Sequence, residues 1–211
     1  MKSFKIIDIS WPIKPGMTEY KDQAKVEFVP TKTIVKNSAR EHDILLTTHT
    51  GTHVDAPAHF LEKGKYLDDL PLSSFIGQCR VLDLTNVQCK ITKSDLINLS
   101  IDSGEIILLK TKNSLLDCCA RASVDFIYLD ADAALFLASN GIKAVGIDYL
   151  GIERGQPGHE THKALLEVDI VIIEGLRLKD VLPGIYFLSC LPIKLNGLEA
   201  APTRAVLIDW L

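Results

Sequence analysis

The chain has 211 residues, 47% apolar and 24% charged, with a formal net charge of −4. That is enough apolar chain for one domain with a sizeable core, in the proportions of a folded globular protein. An acidic balance without a Lys/Arg block argues against nucleic-acid binding, and no stretch approaches the ~18 apolar residues of a membrane-spanning helix.

The first residues, MKSFKIIDIS, lack the apolar run of a signal peptide. The five cysteines (79, 89, 118, 119 and 190) are odd in number and contain no CxxC spacing. They suit free thiols in a reducing compartment, so the expected location is the cytoplasm.

In chain order, KIIDISWPI (5–13) reads as a strand stopped by Pro12, and KPGMTEYKDQ (14–23) as loop. VEFVPTKTIVKN (26–37) suggests strand broken by Pro30, and HDILLTTHTGTH (42–53) a strand running into a histidine cluster. YLDDLPLSSFIG (66–77) has turn and short-helix character, and CRVLDLT (79–85) is a compact strand. Thr92 with Asp95 marks a helix start. GEIILLKTK (104–112) reads as a buried strand, and helical periodicity follows Asp130 as far as Asn140-Gly141. KAVGIDY (143–149) is a strand, HKALLE (162–167) a short helix and DIVIIEG (169–175) a strand. GIYFLSCLPIKL (184–195) and TRAVLIDW (203–210) supply two late strands. Strands outnumber helices, so the expectation is a single α/β domain over residues 1–211 with a mixed sheet.

The stretch HTGTHVDAPAHF places His49, His53, Asp55 and His59 within eleven positions. In one extended strand His49 and His53 would stand about 13 Å apart, at ~3.3 Å per residue. Metal ligands sit only ~2.0–2.2 Å from their ion, so the backbone must fold back for both to serve one. Gly51 is the place where it can do so, and Pro57 stiffens the chain between Asp55 and His59. A helix fails, because Gly51, Thr52, Val54 and Pro57 all disfavour it. The competing reading, surface histidines on a loop, must put half of the chain's six histidines there by chance.

Further ligands are sought in GHETHKALLEVDIVIIEG. HETH resembles the zincin HExxH but is one residue short. Glu174 ends an apolar run, where a carboxylate needs a partner: a metal ion, or a salt bridge to Arg177 or Lys179. His159 follows Pro157-Gly158 and reads as loop, and His42 as surface. Cys118 and Cys119 have no histidine beside them in sequence, and no GxSxG occurs, so a covalent nucleophile has little support.

The motif HTGTHVDAPAHF matches the HxGTHxDxPxH pattern of the metal-dependent cyclase family, and the chain resembles that family over nearly its whole length. DISWPIKPG, VGIDYLGIE and HKALLEVDIVIIEGLRLKDVL carry the rest of the likeness. The family includes kynurenine formamidases and isatin hydrolases. The resemblance implies a compact α/β domain with a mixed, curved sheet, assembled as a homodimer or homotetramer. It implies two Zn²⁺ ions, with Mn²⁺ also suited to the donors. Carried over, His49, His53 and Asp55 hold one ion, and His162 and Glu174 hold the other with Asp55 as bridge and Glu174 shared too. His59 falls at the general acid/base. The implied substrate is a small amide: N-formyl-L-kynurenine, or isatin or another cyclic amide or lactone as the alternative. A metal-stabilised interaction domain without turnover is the reading from another class. Arg154 is a candidate for a substrate carboxylate or a solvated loop residue. The chain departs from the pattern at KPGMTEY, where relatives often carry an aspartate in a segment expected to shape the substrate pocket.

Overall fold

Which apolar runs are buried on one face and which on both sets the layers of this protein. A computed structural model describes residues 3–23 and 25–210. The elements are β1 (Phe4–Asp8), β2 (Glu27–Lys32), α1 (Ile34–Asn37), β3 (Glu41–Leu45), β4 (His53–Asp55) and β5 (Ile76–Asp83). They continue with β6 (Lys90–Ile91), α2 (Lys93–Leu96), β7 (Ile106–Lys110), β8 (Tyr128–Leu129), α3 (Ala131–Ser139), β9 (Ala144–Ile147) and α4 (Glu160–Leu166). The last are β10 (Val171–Glu174), β11 (Gly184–Ser189), β12 (Ala200–Pro202) and β13 (Val206–Trp210).

Nine strands form one curled sheet in the order β1-β13-β11-β5-β7-β9-β10-β4-β12. The centre, β5-β7-β9-β10, is parallel, and every pairing outside it is antiparallel. Three of these parallel strands, β7, β9 and β10, are buried on both faces, which explains their apolar runs. In β7, Ile106 and Leu108 join one core, while Ile107 and Leu109 join the other. The first core fills the side lined by Val54, Ile173 and Leu207. The second lies under α3 and α4, against Ala134, Leu137, Leu165 and Leu166. The single α/β domain with a mixed, curved sheet is the architecture expected.

Four expectations need correction. The run 42–53 is not one strand: β3 pairs only with β2 in a separate hairpin, and the chain then turns before β4 joins the main sheet. Residues 33–37 are not strand either. Thr33 caps the short helix α1 by accepting from Lys36 N at 3.4 Å, and its own N–H donates to Asn37 Oδ1 at 3.1 Å. Local capping here outweighs the β preference of Ile34 and Val35. The opening strand ends at Asp8, well before Pro12, and the late strand at Ser189 rather than Leu195. β12, with the sequence Ala-Ala-Pro, is a strand only because β4 needs a second neighbour.

Candidate metal centre

Strand periodicity builds the centre. In β4, Val54 points into the first core, so its neighbours His53 and Asp55 point to the opposite face. In β10, Ile173 points into the first core, so Glu174 shares the face of His53 and Asp55. The antiparallel register sets Glu174 directly opposite His53. His162, on α4, comes down on that face: its Nε2 lies 3.5 Å from Glu174 Oε1 and 3.9 Å from Asp55 Oδ2.

His49 reaches the same place through the expected bend. Gly51 has φ +65° and turns the chain, and the Nδ1 of His49 sits 3.0 Å from Asp55 Oδ1. The bend is pinned from several sides. Thr52 Oγ1 accepts from Trp11 N and donates to Gly175 O, both at 2.6 Å, and Thr52 O accepts from Thr203 N at 2.9 Å. Pro57 opens a single helical turn, Pro57–His59, that swings His59 back towards His49, with ring centroids 4.2 Å apart. The structure thus brings together all six residues singled out from sequence: His49, His53, Asp55, His59, His162 and Glu174.

The electrostatics are those of an anion pair packed among imidazoles. Burial alone would raise the Asp55 carboxyl, but the His53 and His49 rings beside it hold it below its ordinary value. Burial likewise opposes ionisation of Glu174, and His162 and His53 hold its carboxyl well below the carboxylate range. Burial also opposes charge on the two imidazoles, yet the carboxylates push His53 up to about 9 and His162 up to about 10. His59 goes the other way: burial lowers it, and the charges of His49 and His162 add to that.

The residues fit a cation. Both oxygens of Asp55 and the Nε2 of His53 are buried and make no hydrogen bond among the described residues. Buried polar atoms are ordinarily paired, so this trio lacks a partner that the protein does not supply. His53, Asp55 and Glu174 offer donor atoms within 4.8 Å of one another, and so do His49, Asp55 and His59. Asp55 belongs to both groups. Imidazole and carboxylate are the donors that Zn²⁺ and its first-row neighbours take. The nitrogen that each ring turns inward is set at His53 by Nδ1, which lies 2.9 Å from Gly51 O and leaves Nε2 for the site.

His49, His59, His162 and Glu174 of the centre line a cavity of about 420 Å³, together with Glu19, Tyr20, Lys21, Phe60, Leu150 and His159. The segment after Pro15-Gly16 therefore does shape the pocket. Arg154 does not line it. Its guanidinium lies over Tyr128 at 5.0 Å and donates to Val124 O at 3.2 Å. Nor does Arg177 neutralise Glu174: it stacks on Trp11 and donates to the carbonyls of Ser114 and Leu116. Glu174 instead accepts from Ile152 N at 2.6 Å.

Three residues near the centre escape a reading of the sequence by motif. Glu153 is buried against His162 and His159, and those contacts hold its carboxyl below its ordinary value although burial opposes this. Glu199 accepts from Thr48 Oγ1 at 2.7 Å and lies 3.4 Å from His49 Nε2. Gly175 has φ +70° and packs its Cα against the Gly51 carbonyl. Glu153 had a signal. It precedes Gly155, Pro157 and Gly158, the kind of turn chemistry that brings Gly51's neighbours together.

The curled sheet with a buried imidazole–carboxylate centre defines an α/β protein built around a candidate metal site. The family model described as "Putative cyclase" matches residues 7–154, and the chain belongs to that family. His162 and Glu174 lie beyond the matched span. The kynurenine formamidase of Salinibacter ruber (strain DSM 13855 / M31) is 36% identical over 212 residues, covering 97% of each chain. A solved structure described as "The Structure Of Potential Metal-Dependent Hydrolase With Cyclase Activity" is 44% identical with TM-score 0.90, covering 99% of this chain and 100% of that one. Isatin hydrolase A from Labrenzia aggregata, bound to benzyl benzoate, shares the fold at TM-score 0.85 and 20% identity, over 99% and 94% of the two chains.

Proposed function

We propose that this chain is a metal-dependent amide hydrolase, an arylformamidase that cleaves N-formyl-L-kynurenine to L-kynurenine and formate. The observation that carries the reading is Asp55, whose two buried oxygens make no hydrogen bond among the described residues yet stand among three imidazoles. The formamidase relative, matched over nearly the full chain, supports the substrate class. His49, His53 and Asp55 would hold one ion, and His162 and Glu174 the second with Asp55 shared. Zn²⁺ is the first choice for this donor set and Mn²⁺ the second. Ions so held supply Lewis acidity, acidifying water and polarising the formyl carbonyl.

The chain's own groups do the rest. Phe60 and Tyr20 give the cavity an aromatic lining for an aryl ring, and Lys21 adds a cation to that lining for a carboxylate. His59, held neutral by burial, accepts the proton of the attacking water. It returns that proton to the amide nitrogen as the carbon–nitrogen bond breaks. Water and the formamide thus become arylamine and formic acid, with one C–O bond formed and one C–N bond broken.

The test is a panel of N-formylkynurenine and isatin assayed with Zn²⁺, Mn²⁺ and Co²⁺. Release of formate from the first supports the reading. Ring opening of isatin alone would replace the substrate, and metal binding without any hydrolysis would replace the enzyme with a metal-stabilised domain. We further propose a cytoplasmic homodimer or homotetramer. Five free cysteines suit a reducing compartment. The β2–β3 hairpin leaves Phe28, Val29, Ile44 and Leu45 exposed, an apolar surface for a second copy. Sedimentation at micromolar concentration reads the assembly directly.

A further inference from the structure

Glu153 is a buried acid that the proposed reaction leaves unused. It lies in the irregular stretch between β9 and α4 and is 6% exposed. A carboxylate there needs partners, and it finds them on both sides. Oε1 is bonded to His159 Nδ1. Oε2 accepts from His162 N at 3.2 Å and stands 2.9 Å from His162 Nδ1, although ring and oxygen are out of line for a good hydrogen bond. The other edge of the same ring turns its Nε2 to Glu174 and Asp55. The two nitrogens of His162 thus face two different carboxylate environments.

An imidazole offers a lone pair on Nε2 only when its hydrogen sits on Nδ1, and an acceptor behind Nδ1 decides that. His53 has such an acceptor in the Gly51 carbonyl. For His162 the acceptor in place is Glu153. We propose that Glu153 is a positioning residue for His162: it takes the Nδ1 hydrogen, keeps Nε2 turned to the cation seat between Asp55 and Glu174, and so sets the affinity for the ion on that side. The inference rests on the metal reading above. The competing role is purely structural, since Oε2 also receives a backbone N–H from the first turn of α4.

The two roles separate in one experiment. Metal affinity of the full chain is measured by competing Zn²⁺ and Co²⁺ against a chelator, for wild type, Glu153→Gln and Glu153→Asp. Glutamine can still accept the α4 N–H but has lost the charge behind the ring. Glu153→Gln should weaken one of the two ions by about 10–100-fold and leave the other nearly unchanged, the usual worth of such an outer partner. Glu153→Asp should restore most of the loss. In ¹⁵N spectra of the zinc-loaded wild type, His162 should carry its hydrogen on Nδ1, and that signature should change in Glu153→Gln. Equal weakening of both ions, or of neither, overturns the proposal. If Glu153→Gln does not fold, Glu153→Asp reads the same question, as a smaller loss confined to one ion. A wild type that binds no metal overturns the metal reading along with this one. Tight metal binding without formamide hydrolysis removes only the reaction and leaves Glu153 to be judged on affinity.

Discussion

Asp55 and His59 lie in the same centre, yet their removal should do different things. Asp55 offers donor atoms to both candidate groups, so Asp55→Ala should empty the centre and abolish turnover together. His59 is half-buried, and burial lowers its pKa, which favours the neutral ring that accepts a proton. His59→Ala should therefore keep its metal while kcat falls by about 10²–10⁴-fold. The structure also puts His59 within ligand reach of His49 and Asp55, so metal content and turnover must come from the same preparation. Metal lost in proportion to rate would make His59 a ligand. At this scale the sequence was most legible where chemistry is local. Four of the six candidate residues sit in one motif, and donor type with spacing was enough to propose them. Arg154 was not legible, because its place over Tyr128 depends on a strand pairing elsewhere in the chain.

At the scale of elements the centre depends on two turns in contact. Gly51 and Gly175 both have positive φ, where a side chain is strained. A Cβ on Gly51 would meet the Ile13 side chain at 3.1 Å, and that atom can give way. A Cβ on Gly175 would meet the Gly51 carbonyl oxygen at 2.2 Å, and backbone cannot yield without moving the bend. Gly51→Ala should then cost about 1–2 kcal/mol from backbone strain alone. Gly175→Ala should cost clearly more and also weaken metal binding, since it displaces the turn that carries His49. Urea denaturation midpoints with a metal titration check the order, and equal losses would mean that the contact between the two turns is soft. The same turns show why some strands could be read and others not. β7 and β10 announce themselves by apolar runs buried on both faces. The run 42–53 shows the bend at Gly51 but not where β3 ends; its pairing with β2, and that of β4 with β10, decide that.

For the whole molecule, the centre ties together pieces that the apolar cores hold only in part. β4 is three residues long and carries two buried polar side chains, His53 and Asp55. It is clamped between β10 and β12 and faces α4, so two cations, one on His49, His53 and Asp55 and one on Asp55, His162 and Glu174, would cross-link two strands and a helix. Anything that binds the folded chain and not the unfolded one stabilises it, by about 2.7 kcal/mol when free ligand is at one hundred times Kd. For a domain of this size each kcal/mol moves Tm by roughly 2–4 °C. Stripping both ions with EDTA, each from that saturated state, should therefore lower Tm by about 11–22 °C, and adding Zn²⁺ back should restore it. Asp55→Ala should show no such shift, because it has nothing left to strip. Calorimetry on both chains, with metal content measured before each scan, makes the comparison. A wild type that loses its ions without losing Tm would show that the sheet holds β4 in place unaided, and that the centre serves the reaction and not the fold.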